Sequence, residues 1–168
     1  RCQNNFFAGL LHDMPELLTR DIISPVKKSV EAMGTIIHEY ERAELEARML
    51  KPLRERGCGH TEARIKYLLG LAVGDEFTES VVDGGQETAV SFADLGGRYN
   101  RDEFDPKDGA LLKVCDLMAA YLEAYTALRN GIASASLAEA AWRIKNQLMA
   151  YNKEFPDFKI AALLADFD

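Results

Sequence analysis

The sequence predicts an all-α fold, and three observations carry that expectation. Apolar residues recur at helical spacing through long stretches, most plainly from Thr35 to Leu50 and from Asp105 to Arg129. Helix start and stop signals bracket the later stretches. Val- and Thr-rich sequence is confined to residues 76–92, where a small β-hairpin is expected as an insertion. A chain of 168 residues is long enough to bury a continuous core, so one helical domain over residues 1–168 is expected.

The first helix is the apolar run Phe6 to Leu11 (FFAGLL), which breaks at His12-Asp13-Met14-Pro15 because proline disfavours helical geometry in the residue before it. A second short piece, Pro15 to Thr19, runs into the turn Asp21-Ile22-Ile23-Ser24-Pro25. From Thr35 to Leu50, Ile36, Ile37, Tyr40, Ala43, Leu45, Ala47 and Leu50 form an apolar stripe, and the acidic run Glu39 to Glu46 reads as its solvated face. Gly57, Gly59 and His60 mark a loop before a helical piece from Glu62 to Leu69. Segments Glu76 to Val82 and Thr88 to Phe92 flank Asp83-Gly84-Gly85, a hairpin turn signal. Asp105 as a cap with Pro106 at the first helical position opens the longest helix, which Asn130-Gly131 stops. Ser136 with Glu139 three residues on makes a capping box for a helix through Tyr151. Asp157 to Ala165 is expected to dock its Phe, Ile and Leu residues on the bundle, and Trp142, Tyr121 and Tyr125 to fill core.

Twenty basic against 27 acidic residues leave a formal charge of −7. A surface of that sign repels nucleic-acid backbones and anionic lipid, so neither is expected as a partner. A small phosphorylated ligand stays open, because a bound cation reverses the sign locally. No apolar run approaches the roughly 20 residues a membrane-spanning helix needs. Cys2, Cys58 and Cys115 are odd in number and widely spaced, against both a CxxC zinc site and a disulfide framework, and a reducing cytoplasm is the expected location.

Two places hold residues suited to chemistry. His12-Asp13, with Glu16 and Asp21 close behind, offers imidazole nitrogen and carboxylate oxygen, a donor set for divalent transition metals. The same residues also make a good helix start, Asp13 capping and Glu16 closing a box. Asp116 has Leu112, Ala119 and Ala120 nearby on its helix, an apolar setting for a carboxylate. Either Lys113 pairs with it along the helix or a positive group lies opposite. His38, in a charged helix, and His60, in a glycine loop, read as surface residues.

The string FFAGLLHDMPELLTRDIISPVKKSV from Phe6 onward resembles the HD superfamily of metal-dependent phosphohydrolases, closest to its bacterial 5′-deoxynucleotidase-like branch. The matching features are His12-Asp13, Glu16, and Asp21 leading to Pro25-Val26-Lys27. They are followed about a hundred residues later by KVCDLMAAYLEA, with Lys113 and Asp116. The resemblance implies an HD-type helical bundle in which His12, Asp13 and Asp116 bind one divalent cation (Mn, Co, Fe, Ni, Zn or Mg). It implies catalytic roles for Glu16, near the water, and for Asp21, near phosphate and sugar. The family's fourth ligand is a histidine some thirty-odd residues before the His-Asp pair, so the helices that would carry it are expected to precede this stretch of chain. The implied reaction is attack of a metal-activated water on a (deoxy)nucleoside 5′-monophosphate, with homodimers as in related nucleotidases. A catalytically incomplete HD-fold binding or regulatory module is the alternative. Residues 76–105 have no counterpart in the shorter family members.

Overall fold

A computed structural model describes residues 1–19 and 33–167. Helices dominate the described residues, as expected, and one two-stranded antiparallel sheet interrupts them. The backbone forms two compact units, Arg1–Lys107 and Asp108–Asp168. Among the described residues no helix is long and apolar enough to cross a membrane. The turn at Asp21 and Pro25-Val26-Lys27 lies outside the described residues.

In the first unit, α1 (Cys2–Leu11) and α2 (Met14–Thr19) meet at a turn made by His12 and Asp13. The joint expected before Pro15 is therefore present. α3 (Met33–Leu45) continues through a π-helical turn, Glu46–Leu50, into α4 (Lys51–Glu55). Leu45 and Leu50, on either side of that turn, join Leu69 in the unit's buried cluster, and Leu11, Met14 and Leu18 pack against it. The acidic run is not wholly a solvated face: Glu41 is only 7% exposed, because it shares the buried side of α3 with Ile37 and Leu45. α5 (Gly59–Leu68) starts earlier than expected and takes His60 into its first turn. Gly70 closes α5 at φ +65, and a Cβ there would stand 1.9 Å from the Asp75 carbonyl oxygen. Only glycine lets the 71–79 loop fold back this closely.

That loop leads into β1 (Ser80–Asp83), which pairs with β2 (Gln86–Ala89) in the register Ser80 to Ala89. Gly84 and Gly85, both at positive φ, make the two-residue turn. The hairpin expected over 76–92 thus forms, with shorter strands. α6 (Phe92–Gly96) follows, capped by the Ser91 side chain.

Beyond a 3₁₀ turn at Asp102–Phe104, the chain departs from expectation. Asp105 is not a helix cap: it sits in the left-handed region at φ 46, and Lys107 pairs its backbone with Ser80 at 2.8 and 3.1 Å. A residue bridged to a strand edge cannot also start a helix, so the cap moves to Asp108. Several groups converge on Asp105. The Asn4 amide donates to its carbonyl at 2.8 Å, to its Oδ1 at 2.9 Å and to the Pro106 carbonyl at 2.9 Å. Arg64 from α5 pairs with Asp105 Oδ2 and donates to Asn4 Oδ1, and the Tyr67 hydroxyl donates to the Asp105 carbonyl.

In the second unit, Asp108 caps α7 (Gly109–Arg129), accepting from the Leu111 N–H at 2.9 Å. α7 ends where Asn130-Gly131 was expected to stop it. α8 (Ala135–Glu154) is capped by Ser134 rather than by Ser136, whose hydroxyl lies 3.0 Å from that of Ser134. The side chain one residue before the first helical turn can reach an N–H within that turn, whereas Ser136 is already inside the helix. The closing segment, with α9 (Ile160–Leu164) at its centre, packs as expected: Ile160 and Leu164 join Val114, Met118, Tyr121 and Leu148 in one buried cluster. Trp142 does not fill this core. It is 69% exposed, on the side of α8 away from Ala141 and Leu148.

Two substitutions test these arrangements. Leu148→Ala, at a fully buried site, is expected to lower the unfolding free energy by about 2–5 kcal/mol in urea titration. Asn4→Leu leaves the Asp105 and Pro106 carbonyls without their amide donor and is expected to cost about 1–3 kcal/mol in the same measurement.

Candidate functional site

His12 leaves α1 at the point where the chain turns, and its ring is held from one side. Nδ1 lies 2.8 Å from the Gly9 carbonyl oxygen, which can only accept, so Nδ1 carries the proton. Nε2 is then the ring's basic nitrogen, and it faces Asp13 Oδ2 at 3.3 Å. A basic nitrogen and a carboxylate oxygen this close repel unless a positive charge lies with them. A proton on the ring supplies that charge, and so does a shared cation. Imidazole anchored through its second nitrogen on a carbonyl is also the usual posture of a metal-binding histidine. His12 and Asp13 therefore fit two positions around a divalent ion.

The pair opens onto a cleft of about 610 Å³ within the first unit. Glu16, one helical turn beyond His12, lines the same cleft, as expected. The walls also include His38 and Glu41 of α3 and Glu76 of the 71–79 loop, with the Phe77 ring edge-on to His12 at 6.4 Å between centroids. His38 is a surface residue by exposure, yet its Nδ1 lies 3.2 Å from Glu41 Oε2 at the cleft wall. Among the described residues, six carboxylates (Asp13, Glu16, Glu39, Glu41, Asp75 and Glu76) face this space with one arginine, Arg42. That balance repels an anion unless a cation is bound first. Burial pushes the Glu76 carboxyl above its ordinary pKa, Asp75 adds to the shift, and His12 and Lys107 oppose it. Glu41, Asp75 and Glu76 were not legible as site residues, since no spacing in the sequence links them to His12.

Asp116 lies on α7 in the second unit, half-buried, with Oδ2 2.9 Å from Lys113 Nζ. The ion pair along the helix is the arrangement present. Ala119 and Ala120 on that helix are exposed, so the setting is less apolar than their spacing suggested. Asp21 lies outside the described residues. Among the described residues, no three His, Cys, Asp or Glu side chains stand together closely enough to hold a metal ion. His12, Asp13 and Glu16 share one cleft.

A family model described as HD domain matches residues 1–145, a span that includes both His12-Asp13 and Asp116. The chain belongs to the HD domain family. Members of this family are in general metal-dependent phosphohydrolases that bind divalent cations. Comparison with curated proteins and with solved structures finds no match.

One further charged group supports this HD domain's acidic loop from below. Lys107 is fully buried, and its Nζ donates to the Glu76 carbonyl at 2.8 Å. Burial pushes its pKa down to about 8, with Glu76, Asp75, Glu79 and Glu87 pulling it back up. Below that value the folded and unfolded chains both carry the proton, and the full cost of burying the charge is present. Between about 8 and the ordinary 10.5 the folded chain loses the proton first, so the cost is relieved as pH rises. In urea titrations from pH 7 to pH 10, the wild type is expected to gain stability relative to Lys107→Met across that window. A constant gap between the two proteins would contradict it.

Proposed function

We propose that this HD domain releases phosphate from (deoxy)nucleoside 5′-monophosphates, as a member of the 5′-deoxynucleotidase-like branch. The observation that carries the reading is the anchored His12 beside Asp13, opening onto a cleft whose described lining is mostly acidic and so favours a bound cation. The ordered sequence motifs around His12 and Asp116 support the narrower assignment to a nucleotidase. In this reading His12, Asp13 and Asp116 hold the cation. When bound, a divalent ion supplies Lewis-acid activation of water and neutralises phosphate charge.

The chain's own residues do the rest. Gly9 fixes the His12 tautomer, leaving Nε2 as the ligand atom. Glu16 faces the same cleft and exchanges a proton with the attacking water as general base. Asp21 is assigned to the phosphate and sugar by resemblance.

A second reading, a binding or regulatory module without turnover, is favoured by one observation: no three donors are gathered among the described residues. Metal analysis and phosphate release with added Mn²⁺ or Co²⁺ separate the two. The enzyme reading expects bound metal and release from nucleoside 5′-monophosphates. It also expects a loss of at least about a hundredfold in His12→Ala and in Asp116→Ala, since even outer partners of metal ligands matter on a 10–100-fold scale. Full activity in both variants contradicts the ligand set; a metal-free, inactive wild type favours the module.

A further inference from the structure

Release of phosphate from a 5′-nucleotide expels an alkoxide, a poor leaving group unless a proton reaches its oxygen. In-line displacement puts the attacking water and the leaving oxygen on opposite sides of phosphorus, so one carboxyl does not serve both. Glu16 on α2 serves the water in the reading above. A proton donor for the leaving oxygen has to come from another wall of the cleft.

The other carboxylates described in that cleft divide by what their oxygens already do. Asp13 stands against His12 Nε2, and Glu41 is engaged by His38 at 3.2 Å. Asp75 Oδ1 accepts from the Phe77 N–H at 3.0 Å and from the Thr78 hydroxyl at 2.9 Å, the setting of an ionised group. Glu39 is exposed on α3. Glu76 differs from all of these. It is half-buried, it lines the cleft, and it comes from the 71–79 loop.

That loop is firmly held. The buried Lys107 donates to the Glu76 carbonyl at 2.8 Å, Arg42 donates to the Gly74 carbonyl at 3.2 Å, and Gly70 makes room for the Asp75 carbonyl. Both cationic side chains reach main-chain oxygens, so they fix the backbone that carries the Glu76 carboxyl. A reacting group on a pinned backbone is the arrangement a site needs if it is to aim a proton. Burial favours the neutral carboxyl and Asp75 adds to that preference, while the residue's own backbone N–H, His12 and Lys107 oppose it.

From this placement we infer that Glu76 is the general acid of the cleft, giving its proton to the leaving oxygen while Glu16 takes one from the water. The water oxygen bonds to phosphorus, and the P–O5′ bond breaks with its electron pair on O5′. The Glu76 proton then completes the nucleoside hydroxyl. Glu16 afterwards loses its proton to solvent and Glu76 regains one, so the cycle closes without a co-reactant. The role rests on the phosphohydrolase reading above.

Phosphate release by the full chain with Mn²⁺ tests it on two kinds of ester. The phenolate of p-nitrophenyl phosphate departs without a proton, whereas the deoxynucleoside 5′-monophosphates of A, G, C and T release an alkoxide. Glu76→Gln, shown folded by circular dichroism, keeps the side chain's shape and lacks the acidic proton. Its kcat on the nucleotides is expected to fall about a hundredfold or more, the scale of side-chain acid catalysis, and its loss on p-nitrophenyl phosphate to be at least about tenfold smaller. Glu76→Ala supplies the same comparison should the amide variant not fold. Equal losses on both kinds of ester, or no loss on either, overturn the acid role and leave the phosphohydrolase reading standing. A wild type that hydrolyses p-nitrophenyl phosphate and none of the nucleotides also overturns it, because a cleft with its own proton donor does not need an activated leaving group. Release from neither kind removes the phosphohydrolase reading and the role with it.

Discussion

The first unit depends on the hydrogen-bonded clasp around Asp105. Its left-handed backbone is an unfavourable geometry for a residue with a side chain, and the surrounding groups hold it there. Asn4 ties α1 to this point, Arg64 and Tyr67 tie α5 to it, and the neighbouring Lys107 ties it to the β1 edge. Three elements far apart in sequence are thereby fixed to one short stretch of chain. The consequence for the site is direct. α1 ends in His12, α5 leads through Gly70 into the loop bearing Asp75 and Glu76, and both reach the cleft from elements held at Asp105.

The cleft itself is governed by a charge imbalance. Among the described residues that line it, carboxylates outnumber the one arginine, and His12 Nε2 stands against the Asp13 carboxylate. Such an arrangement is unfavourable on its own and is relieved by a proton on the ring or by a shared cation.

Much of this was legible in the residues. The His12-Asp13 joint, the hairpin turn at Gly84-Gly85 and the end of α7 before Gly131 follow from local chemistry, because proline restricts the backbone and glycine frees it to positive φ wherever they occur. Helix starts were less legible. Asp105 and Ser136 have good capping sequences, but Ser80 recruits the backbone just after Asp105, and Ser134 reaches its helix first. Trp142 shows that aromatic character alone does not decide burial: Ala141 and Leu148 face the core of the second unit, and Trp142 faces solvent.

The sequence by itself determined the helical class, the breaks between α1 and α2 and between α7 and α8, and the pairing of an imidazole with a carboxylate at one of those breaks. These are short-range matters, set by the φ restrictions and side-chain reach of adjacent residues. Only the tertiary structure decided that Glu41, Asp75 and Glu76 line one cleft with His12, and that Lys107 is buried beneath the acidic loop. Those placements come from long-range packing: Gly70 lets its loop fold back, and the clasp at Asp105 gathers α1, α5 and β1. No periodicity along the chain encodes where such separated segments meet.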